Sequence, residues 1–324
     1  MQTLAHRPAR ATLLAAALGF LALPAAAAAR PIGDDLHVEA GNHALEGGAR
    51  FLNDTARIRT DSSSDCGGSG KVVTVPGPTA LGILRYAETR VRALRPLSVS
   101  DQFSFGLFVC GIGSFRGSAT KFWLYKVNHV TPQVGADHYR LKRGDQVLWY
   151  FQDTITGQNT GNELALIAPA RARRGHTFQV TVFSYAANGA RKAVSGAQVV
   201  SGGVVKGTTD ANGHATIHGS HNGLLRLRAR HGSDIPSTPV GVCVNRLLRR
   251  CPAVRGKHII GTRRGDRIRG TRGADLIEGR GGNDHINVVG GGRDRVRCGR
   301  GHDVVRLGRH DRAARDCEVV IRRF

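Results

Sequence analysis

The segment GTRRGDRIRGTRGADLIEGRGGNDHINVVGGGRDRVRCGRGHDVVRL, residues 261–307, decides the fold of the C-terminal part of this 324-residue chain. An aspartate recurs in it every nine or ten residues, glycines precede each aspartate, and an aliphatic residue follows two positions later. This period indicates an internal repeat that holds its phase for five units. The repeated aspartates are Asp266, Asp275, Asp284, Asp294 and Asp303, and the aliphatic residues are Ile268, Ile277, Ile286, Val296 and Val305.

The segment resembles the RTX or haemolysin-type nonapeptide GGxGxDxUx. The resemblance implies a parallel β-roll, in which two repeats make one coil, and it implies Ca²⁺ as the ligand. Glycines allow a turn to direct its carbonyl oxygens to a cation, one carboxylate per turn supplies charge, and Ca²⁺ accepts six to eight such oxygens. Turns on one side of the roll lie two repeats apart, so at most three sites follow: Asp266 with Asp284, Asp275 with Asp294, and Asp284 with Asp303. All five repeated aspartates are therefore candidate metal ligands.

Two departures from the nonapeptide predict weaker binding at the first and middle sites. Arg264 stands where a glycine is expected, and one extra residue separates the repeats of Asp284 and Asp294. Residues 245–324 also hold 21 Lys and Arg against 9 Asp and Glu, and like charge near a cation site lowers its affinity. The alternative interpretation is that the Gly-Asp pairs are ordinary turns and that the repeats are only structural.

The first 29 residues are typical of an export signal. Arg7 and Arg10 precede an apolar run, residues 11–23, and an alanine tract that offers a cleavage site follows Pro24. We therefore expect a secreted, extracellular protein that has no membrane contact after cleavage.

Six cysteines in an exported chain fit three disulfides, but six thiols allow 15 pairings and the sequence does not choose among them. Proximity favours Cys66 with Cys110, Cys243 with Cys251, and Cys298 with Cys317.

Residues 30–171 are predicted to form an α+β domain with one helix. ALGILRYAETRVRAL, residues 80–94, has helical spacing, and Thr79 is a candidate cap. Strands are expected at 121–130 and 141–151. Trp123, Tyr125, Asn128 and the Gly-Asp-x-Val-x-Trp motif at 144–149 resemble a domain of unknown function that is similar to the C-terminal β-domain of transcobalamin. The helical partner that holds cobalamin there has no counterpart here, so we interpret the aromatic residues as part of the core.

Residues 172–244 show short alternating strands, which predict a β-sandwich. They resemble bacterial immunoglobulin-like modules, with a hairpin at residues 209–213. A linker is expected at 245–256 and the roll with its cap at 257–324. The fold class is therefore mainly β: an N-terminal α+β domain, a middle sandwich and a C-terminal parallel β-roll.

The net charge of +23 raises the question of an anionic partner. The arginines are spread through all domains and no nucleic-acid motif is present, so nucleic acid is not expected. Metalloprotease, serine-hydrolase and phosphate-loop motifs are also missing from the sequence, so we predict a calcium-binding protein and not an enzyme. The alternative function is extracellular binding of a small molecule or an anionic cell-wall polymer through the N-terminal domain.

Overall fold

The computed structural model describes residues 32–252 and 255–323, so the predicted signal peptide lies outside the described residues. The described chain is mainly β with one short α-helix, which confirms the predicted fold class. No helix in the described part has the length and hydrophobicity needed to span a bilayer.

The N-terminal unit packs a helix against a mixed sheet. Its elements are β1 (Ile32–Ala40), β2 (His43–Asn53), β3 (Ala56–Arg59), β4 (Val72–Val75), α1 (Ala80–Glu88), β5 (Leu97–Ser100), β6 (Phe108–Ile112), β7 (Phe115–Arg116), β8 (Lys121–Val127) and β9 (Gln146–Asp153).

Helix α1 begins where the sequence predicts it. The Thr79 side chain caps it by accepting the N–H of Gly82 at 2.9 Å, and Leu81, Ile83 and Leu84 are fully buried. The helix ends at Glu88, earlier than the predicted residue 94, and a 3-10 turn at Arg92–Leu94 follows.

The aromatic motifs of this unit belong to the core, as predicted. Trp123 and Trp149 lie on the antiparallel strands β8 and β9 and are 3% and 2% exposed. Beside them, Asn128 donates to Asp145 at 2.9 Å and accepts the N–H of Gln146. Asn128 and Asp145 thus meet at the same end of the β8–β9 strand pair.

Asp34 is a fully buried carboxyl in this unit, and we predict that it makes stability depend on pH. It accepts hydrogen bonds from Asn53 and Gly144, yet burial raises its pKa to about 6. The folded state therefore holds the proton more tightly than the unfolded chain does. The stabilisation is present below the unfolded pKa and is lost as the pH rises towards 6. Asp34→Asn should remove on the order of 3 kcal/mol of this pH dependence, measured as the difference between the unfolding free energies of wild type and variant in urea across that interval. A difference that does not change with pH would contradict the assignment.

The middle unit is a two-sheet sandwich. One sheet has the order β10-β12-β13, with β16 also paired to β12, and the other has the order β11-β18-β17-β14-β15. Val182, Ile217, Leu227 and Val242 are fully buried between the sheets. The strands are β10 (Glu163–Ile167), β11 (Arg171–Arg173), β12 (Thr177–Tyr185), β13 (Arg191–Ala193), β14 (Gln198–Ser201), β15 (Val204–Thr208), β16 (His214–His218), β17 (Gly223–Arg230) and β18 (Val240–Asn245).

The predicted hairpin at residues 209–213 is wrong. The turn itself forms, because the Asp210 carboxylate accepts the N–H groups of Asn212 and His214. However, β15 pairs with β14 and β16 pairs with β12, so the turn carries the chain from one sheet to the other. Local turn chemistry does not reveal which strand becomes the partner.

The C-terminal unit is the predicted parallel β-roll. Alternate strands form two sheets, with β19, β21, β23 and β25 on one side and β20, β22, β24 and β26 on the other. The five repeat aliphatics point inward and are at most 3% exposed. The strands are β19 (His258–Ile260), β20 (Arg267–Arg269), β21 (Leu276–Gly281), β22 (His285–Asn287), β23 (Arg295–Arg300), β24 (Val304–Leu307), β25 (Arg312–Ala313) and β26 (Val319–Arg322).

All three favoured disulfides are present: Cys66–Cys110, Cys243–Cys251 and Cys298–Cys317. The last one closes the end of the roll, where β26 forms the final strand.

Strand pairing joins the roll to the N-terminal unit. Strand β19 pairs in parallel with β2, Ile259 beside Arg50 and Ile260 beside Phe51. One eight-stranded sheet, in the order β25-β23-β21-β19-β2-β1-β9-β8, therefore runs through both units. The Lys257 ammonium also lies 2.7 Å from the Asp35 carboxylate across this junction.

A buried ion pair joins the sandwich to the N-terminal unit. Glu39 on β1 is fully buried and pairs with Arg228 on β17, which is 9% exposed. The Arg228 guanidinium also donates to the carbonyl oxygens of Ser237 and Asn42.

Candidate metal centre

The repeated aspartates form two buried rows along the roll. One row contains Asp266, Asp284 and Asp303, and the other contains Asp275 and Asp294. All five side chains belong to residues that are at most 2% exposed. The structure thus places the aspartates of alternate repeats on the same side, as the sequence predicts.

A backbone hydrogen bond connects each aspartate to the next in its row. The N–H of Asp266 donates to Oδ1 of Asp284 at 2.8 Å, and the N–H of Asp284 donates to Oδ1 of Asp303 at 2.8 Å. In the other row the N–H of Asp275 donates to Oδ1 of Asp294 at 2.7 Å. One carboxylate oxygen per coil is therefore used to hold the coils together.

The first two aspartates have both oxygens engaged. Thr262 donates its N–H to Oδ2 of Asp266 at 2.6 Å and its hydroxyl to Oδ1 at 3.1 Å. Thr271 donates to Asp275 in the same way, and the N–H of Lys257 also donates to Oδ1 of Asp275. The threonine donors therefore compensate the buried carboxylate oxygens, and this is the role that a cation would otherwise have.

The later three aspartates lack such a threonine, and each keeps one buried oxygen without a partner. Oδ2 of Asp284, of Asp294 and of Asp303 forms no hydrogen bond within the described part of the chain. A buried carboxylate oxygen without a partner carries a desolvation cost that a hydrogen-bond donor or a cation would offset.

Backbone oxygens approach two of these unpartnered oxygens. A β carbon on Gly291 would lie 2.9 Å from Oδ2 of Asp294, 2.8 Å from the carbonyl oxygen of Thr271 and 3.3 Å from that of Gly273. At Gly279, a β carbon would clash with Oδ2 of Asp284 and would lie 2.6 Å from the carbonyl oxygen of Cys298. A side chain at either position would therefore collide with these oxygen atoms.

Burial also shifts the acidity of the repeat carboxyls. It raises the pKa of Asp284 to about 7, with a smaller contribution from the charges of Asp266 and Asp303, and it raises the pKa of Asp294 to about 6. The pKa of Asp266 is raised as well, again mainly by burial. Carboxylates under these conditions would be stabilised in their ionised form by a nearby cation.

Side chains alone do not build a metal site here. Within residues 32–252 and 255–323, no three His, Cys, Asp or Glu side chains are placed to hold one ion. The donor set is instead one carboxylate oxygen per turn together with peptide carbonyls. Hard oxygen donors of this kind suit Ca²⁺ and do not suit zinc, so the residues fit the ion that the repeat implies.

Comparison with known families identifies the repeat. Residues 260–288 match the model of the RTX calcium-binding nonapeptide repeat (4 copies). The C-terminal unit is therefore similar to RTX repeats over these residues, and we call it the RTX roll. The match includes Asp266, Asp275 and Asp284, and the same stacking continues beyond it through Asp294 and Asp303. Calcium binding by the RTX roll is thereby indicated.

The N-terminal unit also matches a family model. Residues 96–153, from the segment before β5 to the end of β9, match a domain of unknown function, DUF4430. No curated protein matches the chain.

Among solved structures, a crystal structure of haptocorrin in complex with Cbi is similar to 38% of this chain at 12% identity, with a TM-score of 0.28. The matched region spans 25% of the haptocorrin chain.

The sequence interpretation missed four members of the RTX roll. Asp311 extends one row by accepting the N–H of Asp294, and Glu318 ends the other by accepting the N–H of Asp303. Both lie beyond the last regular repeat, so the period does not reveal them. The caps Thr262 and Thr271 were visible as a Gly-Thr pair that occurs only in the first two of the five repeats.

Proposed function

We propose that this chain is an exported calcium-binding protein, and that Ca²⁺ binds at the turns of Asp284, Asp294 and Asp303. The observation that carries the proposal is the unpartnered, buried Oδ2 of each of these residues. Asp266 and Asp275 then have a structural role, because Thr262 and Thr271 donate hydrogen bonds to both of their carboxylate oxygens.

The arginines of the RTX roll do not oppose this assignment. Arg267, Arg269 and Arg295 are exposed, whereas the aspartates next to them point into the roll. Exposed charges are screened over about 8 Å at physiological salt. Sites with a Kd of ~10⁻⁴ to 10⁻³ M would suit the calcium levels in which extracellular modules work.

Equilibrium dialysis of the mature chain against calcium tests the assignment. We expect Asp284→Asn to lower the number of bound ions by at least one per chain. Asp275→Asn is the matched control, because it makes the same chemical change in a threonine-capped turn, and it should leave the number of ions unchanged. Equal losses in the two variants, or no calcium bound by the wild type at millimolar calcium, would refute it.

We propose binding and not catalysis as the activity of the whole chain, and an extracellular location. The export signal, the three disulfides and the RTX repeats support the location. Binding of a small molecule or an anionic cell-wall polymer by the N-terminal unit remains the alternative prediction.

A further inference from the structure

A cleft of about 210 Å³ lies where α1 meets the first turn of the RTX roll. Tyr86 and Ala56 form part of its wall, and the N-terminal unit and the roll both contribute to the lining. Five of the lining residues are arginines: Arg57, Arg85, Arg90, Arg263 and Arg264.

Acidic side chains neutralise only two of these arginines. Arg85 pairs with Glu88, and the Arg264 guanidinium lies 3.1 Å from the Asp54 carboxylate. The other three, Arg57, Arg90 and Arg263, form no ion pair with any described residue. Three arginines of the cleft therefore have no acidic side chain of the described chain within ion-pair distance, although the more distant Asp266 carboxyl interacts electrostatically with Arg90.

Arg90 is the most constrained of the three. Its guanidinium donates to the carbonyl oxygen of Tyr86 at 2.7 Å and to that of Gly261 in the roll at 3.4 Å. Its Nε is buried and has no hydrogen-bond partner in the described chain. Burial, followed by repulsion from Arg280 and Arg263, lowers its pKa to about 10. An anion bound in the cleft would reduce the repulsion between Arg90 and its arginine neighbours. It would also offer an acceptor to the unused Nε–H of Arg90.

We propose that this cleft binds a phosphate group, held by the guanidinium groups of Arg57, Arg90 and Arg263. The planar guanidinium offers paired N–H donors that match phosphate oxygens, and three unpaired arginines suit an anion of two or more charges better than one carboxylate. The volume admits a phosphate or diphosphate and little more. The proposal concerns a second ligand, independent of calcium.

Calorimetric titration of the mature chain with inorganic pyrophosphate tests the proposal. The buffer contains no calcium, because pyrophosphate would precipitate it. We expect saturable binding of one ion per chain, with a Kd below about 1 mM. Arg57→Gln and Arg263→Gln should each weaken binding roughly tenfold, because each removes a charged donor. Neither side chain forms a hydrogen bond within the described chain, so both variants should fold.

Malonate, a dicarboxylate, should bind more weakly than pyrophosphate.

Arg143→Gln is the matched control. It removes the same charge from an exposed turn outside the cleft and should leave the affinity unchanged. Binding that fails to saturate, or that weakens equally in Arg143→Gln and Arg263→Gln, would overturn the proposal in favour of diffuse attraction. A parallel titration with short polyphosphate distinguishes the sources of the phosphate: tighter binding than pyrophosphate indicates a polymer end, and equal binding indicates a small molecule.

Discussion

Asp284→Ala is expected to destabilise the RTX roll with or without calcium, whereas Asp284→Asn is expected to matter only when calcium is present. Alanine removes the acceptor of the buried Asp266 N–H, and an unsatisfied buried donor costs about 1–3 kcal/mol. Asparagine keeps an oxygen for that bond and removes a charge that burial already disfavours. Melting temperatures measured at neutral pH in chelator and in millimolar calcium test this prediction.

Without calcium, Asp284→Asn should melt no lower than the wild type, and Asp284→Ala should melt several degrees lower. With calcium, the melting temperature of the wild type should rise more than that of either variant, and it should then be the highest of the three. Asp65→Ala, which removes an exposed carboxylate far from the roll in sequence, is the control and should follow the wild type in both buffers. If calcium raised the melting temperatures of the wild type and Asp284→Asn equally, Asp284 would not be a ligand.

Arg228→Met is expected to cause the largest loss of stability among simple side-chain changes at the unit boundary. It removes the guanidinium that pairs with the fully buried Glu39 carboxylate and leaves the His37 imidazole, whose Nε2 lies 3.3 Å from Glu39 Oε2, beside it. Breaking a buried pair in this way typically costs about 3–5 kcal/mol. The free energy of unfolding in urea measures the loss. Arg226→Met, an exposed change on the same strand, should stay within about 0.5 kcal/mol of the wild type.

The double variant Glu39→Gln/Arg228→Met makes this prediction specific. Removing both charges should recover part of the stability lost in Arg228→Met, because no unpaired buried charge remains. A double variant that loses the sum of the two single losses would show that the two charges are not coupled, and that Arg228 contributes through its bonds to Ser237 and Asn42 alone.

The parts of the fold that could be predicted are those that depend on local patterns. The nine-residue period placed Asp284 and Asp303 in one row, since it fixes how many residues make half a coil. Thr79 was recognised as a cap because its chemistry acts within one turn of the helix. Proximity along the chain favours the three disulfides that form, although the sequence alone does not exclude the other pairings.

The parts that could not be predicted depend on contacts between distant segments. Pairing of β19 with β2 uses backbone groups, and these carry no side-chain signature in Ile259 or Arg50. The same holds for the turn at 209–213, whose strands choose partners elsewhere in the sandwich. The later aspartates keep unpartnered oxygens because their three turns lack a threonine. The sequence does not reveal this, because the oxygens become buried only when the coils stack.

Continuity between β2 and β19 gives the RTX roll a template. The first strand of a parallel roll needs a strand to pair with, and here β2, far away in sequence, is that partner. The coils then stack in sequence order from Ile259 to the end that the Cys298–Cys317 disulfide closes. Disruption of β2 is therefore expected to impair the proposed calcium turns of Asp284, Asp294 and Asp303 together, because all three follow β19 in the roll. Loss of the last coil, in contrast, would leave the pairing of β19 with β2 intact for the earlier coils.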